Sequence, residues 1–374
     1  MRILYGVAGE GLGHAIRSQA VLEHLVACGH DVAVMASGRA YEVLAKRFAN
    51  VHRIQGLFLA YDQERMSVGR TLLGNALQLV PGLRHNLSVS MGLATGTGGS
   101  VRGMAPGRDI VQRLPFAPDI VLTDFETWSL LYAHVSGVPV VSIDNLQVIH
   151  RCKQPKDIVK GQRKAFELAR TVVRAKLPGA DHYVITSFFP AKVRKKHTTV
   201  VPPVLRASVL QARCTRGEHV LVYRSGGDDG RLEEVLRAFP DTEFRIYGTP
   251  HGRDRDVRQD NLLYRPVSEE QFVADLASSR AVIAGGGFTL MSEAIYLGKP
   301  MLSVPIPGHF EQNMNARWLE RLGYGLQTEK LRKRDVRTLL EQGDEFAHAL
   351  RDHRQCGNAD AFEVISDVIE RLVR

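Results

Sequence analysis

The chain has 374 residues, 44% of them hydrophobic and 24% charged, which is enough for two ordinary domains with cores of their own and excludes a disordered or collagen-like polymer. Its longest apolar runs, such as Val138 to Ile143, stop far short of the ~18 residues a membrane-spanning helix needs, so no transmembrane segment is expected. The formal charge of +9 favours anionic partners such as nucleotides, phosphates or acidic lipid headgroups, and nucleic acid is not expected, because no helix-turn-helix, finger or aromatic-basic pattern accompanies the charge.

In chain order, Arg2 to Val7 reads as a first buried strand. The apolar stretch from Ile3 to Ala8 runs straight into a glycine-rich turn and is too short to act as a secretory signal. A helix through Gln19 to Ala27 follows, then His30 to Met35 and Tyr41 to Phe48, the alternation of a parallel sheet wrapped by helices. The rhythm resumes at Pro118 to Thr123, Val138 to Ile143 and Asp181 to Ile185. Between them Tyr61 to Arg113, with its many glycines, reads as a helical insertion with a long loop. After Pro202 and Pro203 the pattern starts again. A strand at His219 to Arg224 leads into a glycine turn at Ser225 to Gly227 and a helix through Leu232 to Ala238, with further strands at Phe244 to Tyr247, Ala281 to Ala284 and Pro300 to Val304. Ala359 to Val373 has the apolar spacing of an amphipathic terminal helix. Cys28, Cys152, Cys214 and Cys356 are far apart and form no CxxC, which argues against a zinc site and a disulfide framework and for a reducing, cytoplasmic location.

Two places concentrate chemistry. The first strand ends in GEGLGH, Gly9 to His14, and a helix begins near Ala15, so the amides around Gly11 and Gly13 converge with a helix N-terminus on one anion-friendly spot. A dinucleotide fold would want glycine where His14 stands and an acidic residue after the second strand, where Ser37 and Arg39 occur instead. His14 fits a general base as well as a structural helix-start residue. Asp124 or Glu126, in TDFETW, falls at the same sheet edge and could support it; Asp124 or Glu10 could be the base itself, or plain strand-end and capping carboxylates. The second place is AGGGFTLMSEAIYLGKPMLSVPIPGHFEQNMNA, Ala284 to Ala316. Gly285 to Gly287 let backbone approach a pyrophosphate, the helix from Phe288 aims amides at it, and Glu293 stands within two turns of the helix start, in reach of ribose hydroxyls. The loop from Gly308 to Asn315 gathers His309, Glu311, Gln312, Asn313 and Asn315, side chains suited to sugar hydroxyls.

That run resembles the donor signature of GT-B glycosyltransferases, in particular the group of the peptidoglycan N-acetylglucosaminyltransferase and the diacylglycerol glycosyltransferases (family 28-like), and GEGLGHAIRS resembles that group's acceptor-domain glycine loop. The resemblance implies an α/β chain of two Rossmann-like domains facing across a cleft: residues 1–203 for the acceptor, residues 204–354 for the donor, and a terminal helix in 355–374 crossing back to the first. It implies a hexosyltransferase working by metal-independent, inverting transfer from a nucleoside diphosphate sugar, with UDP-sugar favoured and thymine left open, to a hydroxyl of a small-molecule, glycan or lipid acceptor, and no cofactor besides that donor. Carried over position by position, Ser225, Gly226 and Gly227 lie near the phosphates, and Gly286, Gly287, Phe288 and Thr289 supply amides. Glu293 clamps the ribose, Glu311 with Gln312 holds the sugar, and the backbone of Val267 meets the base. His309 could touch the sugar or be a surface histidine.

A sugar-nucleotide 2-epimerase of the same fold and a catalytically inactive nucleotide-sugar-binding module are the rival readings. Trp128 and Trp318 read as packing residues. From Arg151 to Lys176 nine Lys or Arg face two acidic residues, and Lys192 to Lys196 adds four cations; a solvated helix face is the plain reading, and contact with anionic lipid at the inner face of the membrane the sharper one.

Overall fold

The computed structural model describes residues 1–56, 61–62, 65–66, 82, 84–93, 116–224, 231–249, 254–266, 268–353 and 355–374. The first sheet has seven parallel strands, β1 (Arg2–Val7), β2 (Asp31–Ala36), β3 (Val51–Arg53), β4 (Ile120–Asp124), β5 (Val140–Asp144), β6 (His182–Thr186) and β7 (Thr198–Val201). Their spatial order is β7-β6-β5-β4-β1-β2-β3. Strands β4 and β5 are buried at every position, the state of parallel strands with both faces covered, which is why they are mostly apolar without a strict alternation. The helices used below are α1 (Leu12–Ala27), α2 (Gly38–Leu44), α3 (Thr127–Ser136), α4 (Gln147–Arg151) and α5 (Arg163–Lys176). Helix α3 ends at Gly137, whose φ of 65° suits the left-handed C-cap.

A second seven-stranded sheet contains β8 (Val220–Tyr223), β9 (Phe244–Tyr247), β10 (Val257–Gln259), β11 (Leu262–Tyr264), β12 (Ala281–Ala284), β13 (Met301–Ser303) and β14 (Gly325–Gln327), in the order β10-β11-β9-β8-β12-β13-β14. Only β10, against β11, runs antiparallel. Helices α6 (Phe288–Tyr296) and α7 (Phe310–Arg321) follow β12 and β13, and α8 (Ala359–Val373) ends the chain. Helix α8 lies against the first sheet: Ala361, Ile365, Val368 and Ile369 are buried with Ile3, Tyr5, Ile120 and Val141, and Phe362 stacks on His24 with ring centroids 4.1 Å apart. The two sheets are joined by an apolar seam in which Phe189 stacks on Trp318 at 4.6 Å and Phe188 meets Phe288 at 5.8 Å.

The expected strands are all present, with ends moved by a residue or two. Apolar patterning stops at the last hydrophobic residue, whereas pairing runs on: Asp124 closes β4 because its backbone pairs with Val7. Strands β3, β7, β10, β11 and β14, three or four residues each, are too short for alternation to reveal. Helix α1 starts at Leu12 instead of near Ala15, with Gly11 as its N-cap, so Gly13 and His14 belong to its first turn. The stretch expected as a polar loop, Gly308 to Asn315, is a helix from Phe310 onward, with His309 as N-cap accepting from the Gln312 amide. Of the insertion from Tyr61 to Arg113, residues 84–93 are helical and Tyr61–Asp62 pairs with Arg65–Met66; the rest lies outside the described residues. No helix among the described residues is long and apolar enough to cross a membrane.

Candidate active site

In the first sheet the connections reverse direction between β1 and β4, and at such a switch point the loops beyond the carboxyl ends part to leave a crevice. Both ends are level, Val7 beside Asp124. The loop after β1 lies tight against the loop after β2: a Cβ on Gly9 would sit 2.3 Å from the Ser37 carbonyl oxygen, so only glycine fits. Gly11 then opens α1 with no side chain capping the first-turn amides.

On that first turn His14 places Nδ1 2.8 Å from Asp124 Oδ1. Asp124 is fully buried, and three further bonds hold it: Arg17 Nε donates to Oδ2 at 3.0 Å, Arg17 Nη2 to Oδ1 at 2.5 Å, and Ser18 Oγ to Oδ2 at 3.0 Å. Burial alone would raise the carboxyl's pKa, but the Arg17 guanidinium and His14 outweigh it and hold Asp124 below its ordinary range. Asp124 is therefore an ionised, enclosed acceptor. With Nδ1 committed to it, Nε2 is the nitrogen of His14 left to act on a ligand. Phe125, next in the chain, is held at a φ of 56°, a conformation costly for a non-glycine residue, and its ring lies parallel to His14 at 6.2 Å.

The other two carboxylates of this edge do something else. Glu126 is buried as the N-cap of α3, accepting from the amides of Trp128 and Ser129 at 2.8 and 2.6 Å. Glu10 receives Lys176 Nζ at 2.7 Å, and that ammonium also stands 4.3 Å from the Phe125 ring centre. Asp124 alone of the three meets His14.

The second sheet reverses between β8 and β12, and the first turn of α6 after β12 meets the glycine loop of the first sheet. A Cβ on Gly13 would lie 2.7 Å from Thr289 Oγ1, in the first turn of α6. Gly287 caps α6 without a side-chain bond. Gly286 is pressed against α7, where a Cβ would be 2.2 Å from the Gln312 carbonyl oxygen. The Gln312 side chain is turned onto backbone, accepting from Ile306 N at 3.0 Å and Gly286 N at 3.4 Å. Glu311 reaches across to the first sheet: its Oε1 accepts from Asn145 Nδ2 and Asn315 Nδ2, both at 3.0 Å, while Asn315 also donates to Gly286 O and Asn145 accepts from Arg17 Nη1 at 2.8 Å. One polar chain thus runs from His14 through Asp124, Arg17, Asn145 and Glu311 to the glycine loop.

Glu293 sits two turns into α6, 1% exposed, and both its oxygens are taken by Arg206, at 2.7 Å each. His309 Nδ1 stands 4.0 Å from Glu311 Oε2. Ser225, Gly226, Gly227 and Val267 lie outside the described residues. Arg17, Asn145 and Arg206 escaped the sequence reading. Arg17 carried a signal, standing one helical turn after His14; nothing local marks Asn145 or Arg206. Among the described residues, no three His, Cys, Asp or Glu gather as a metal centre.

Residues 1–342, nearly the whole chain, match the family model described as glycosyl transferase family 1. The chain belongs to that family. As a family 1 glycosyltransferase it is 25% identical over 348 residues to an uncharacterized glycosyltransferase of Methanosarcina mazei, covering 87% of this chain and 85% of that protein. Among solved structures it is similar to the kitacinnamycin glycosyltransferase, TM-score 0.67 with 18% identity over 100% and 99% of the two chains. It is also similar to Phytolacca americana UGT2 complexed with UDP-2-fluoro-glucose and pterostilbene, TM-score 0.63 with 14% identity over the full length of both. The glycosyltransferase has the GT-B fold, two Rossmann-like sheets meeting at their carboxyl edges.

Proposed function

We propose that this glycosyltransferase moves a sugar from a nucleoside diphosphate donor, UDP-sugar by preference, to an acceptor hydroxyl, with inversion at the anomeric carbon and no metal. The observation that carries the reading is the opposition of His14, backed by Asp124, to the first turn of α6 and Glu311. His14 Nε2 takes the acceptor's proton as its oxygen forms a bond to the anomeric carbon on the face opposite the departing diphosphate. The bond from that carbon to the diphosphate oxygen breaks, and the leaving charge is met by the amides of Gly287, Phe288 and Thr289 and the helix dipole. Asp124 stabilises the imidazolium that forms. Glu311, pinned through Oε1, offers Oε2 to the donor sugar. The ribose role of Glu293 requires Arg206 to give up at least part of its bidentate hold.

The first domain binds the acceptor in this reading, the donor occupies the second, and segment 151–176 supplies contact with an anionic membrane from the cytoplasmic side. The likeness to a plant enzyme holding a UDP-sugar supports the choice of base. Calorimetric titration with UDP, dTDP, GDP and NAD, without metal and then with magnesium, tests the donor. Micromolar, metal-free binding of UDP with little response to NAD is the expected result, and binding to NAD alone or to none of the four would sink the donor assignment.

A further inference from the structure

A cavity of about 520 Å3 lies between α4, the C-terminal turn of α5 and the amino end of β6, walled by His150, Arg151, Thr171, Arg174 and Tyr183 together with small and apolar residues. Its walls share no residue with the crevice just described: the stretch leading into β6 lines it, whereas His14, Asp124 and Glu311 gather at the carboxyl edge. None of its walls is acidic.

Two cations beside it, Arg151 and Arg194, are held by neutral groups. Arg151 stacks its guanidinium 3.6 Å from the centre of the Tyr183 ring and donates to Thr198 Oγ1 and the Lys196 carbonyl. Arg194 donates through Nε and Nη2 to the carbonyl of His150, at 3.0 and 2.7 Å. Arg174, exposed, completes the wall. The Nδ1 atom of His150 is buried and meets no hydrogen-bond partner within the protein, which leaves it open to a ligand. Burial first, then Arg194, Arg151, Lys195 and Arg174, push the His150 imidazole down to about 4, so the ring is neutral near pH 7 and the surrounding positive field is uncompensated. Fixed guanidinium groups beside a neutral imidazole in a concave wall suit a phosphate, which accepts from Arg in pairs.

We propose that this pocket is a second, non-catalytic anion site that binds a phosphate group, carried either by a membrane lipid headgroup or by a free phosphorylated compound. It stands independently of the transfer chemistry, since none of its residues belongs to the crevice. The test follows the His150 ring by proton-carbon NMR in histidine-labelled full-length protein, the signal being assigned by its loss in His150→Gln. Inorganic phosphate is titrated in at constant ionic strength set with chloride, and the protein is separately sedimented with phosphatidylcholine vesicles with and without phosphatidylglycerol.

Saturable movement of the His150 signal, a rise of its pKa by about one unit as an anion replaces net repulsion, and at least tenfold weaker response in Arg174→Glu are expected; Arg174→Gln should fall between. Partition onto phosphatidylglycerol vesicles that Arg174→Glu reduces in parallel assigns the lipid source. Phosphate saturation without vesicle binding assigns the free compound. A His150 signal that moves with neither probe, or moves equally in Arg174→Glu, overturns the site.

Discussion

His14 and Asp124 divide one task between them. The carboxylate is fully buried and makes four hydrogen bonds, so it orients and stabilises while the partly exposed imidazole meets the substrate. His14→Ala should lower kcat by about 10²- to 10⁴-fold, the usual worth of general base catalysis, and leave donor affinity as it was. Initial rates and calorimetry on the same preparation separate these; an equal fall in donor affinity would make His14 a phosphate ligand instead. A second histidine contributes to acid sensitivity. His182 Nε2 meets Thr199 Oγ1 at 3.0 Å and its Nδ1 faces Arg371, and burial, Arg371, His197 and Arg151 in that order push its pKa from 6.5 down to about 4. The unfolded chain takes up this proton near 6.5 while the folded chain resists until about 4. The stability it contributes is therefore whole above pH 6.5 and lost as pH falls through that window. Urea midpoints of His182→Gln should fall less steeply than wild type between those values; parallel slopes would remove the assignment.

At the level of elements, neighbouring glycines before α6 have different reasons to be glycine. Gly286 is wedged against the backbone of α7, which cannot yield as a flexible side chain would, whereas a Cβ on Gly287 meets nothing within 4 Å. Gly286→Ala should cost stability on the order of 1 to 3 kcal/mol, the range for overpacking. Gly287→Ala should melt like wild type yet bind UDP at least severalfold more weakly, because the free space belongs to the ligand. Normal UDP binding by the second variant would place the diphosphate elsewhere. The loop after β13 teaches a related lesson: Glu311, Gln312 and Asn315 are legible as a polar cluster, but their helical placement depends on His309 as N-cap and on Phe310, Met314 and Trp318 finding an apolar seam. That seam is made by Phe189 and Phe288, distant in sequence.

Across the molecule, polar and apolar contacts both join the halves. One polar contact is Asn145, between Arg17 and Glu311. Asn145→Ala leaves each of these one bond short and should cost about 1 to 3 kcal/mol wherever the lost bond matters. Its effect should appear in the affinity for UDP-sugar and be small in the affinity for UDP alone, because Glu311 is proposed to face the sugar. Equal losses for both ligands would deny that role. The terminal helix α8, whose Ile365, Val368 and Ile369 are buried on the first sheet, ties the end of the chain back to it. Burying these three stabilises by roughly 5 to 9 kcal/mol as an upper bound, a large part of a whole domain's margin. Deleting residues 359–374 should therefore unfold the first sheet preferentially, seen as early proteolysis within residues 1–201; an unchanged melt would mean that the helix is dispensable.

By itself the sequence determined the repeated βα order, the glycine turns at the strand ends, the terminal amphipathic helix and the candidacy of His14, since each depends on residues close together and on side-chain period or backbone sterics. The tertiary structure decided which carboxylate serves His14. Asp124 and Glu126 are two residues apart and alike in pattern, yet only one meets a guanidinium 107 positions away while the other turns to cap its own helix. It decided likewise that Glu293 faces Arg206 across 87 positions and that Asn145 touches Glu311 across 166. Such pairings arise from packing within each half and between the two, and no local periodicity in the chain records them.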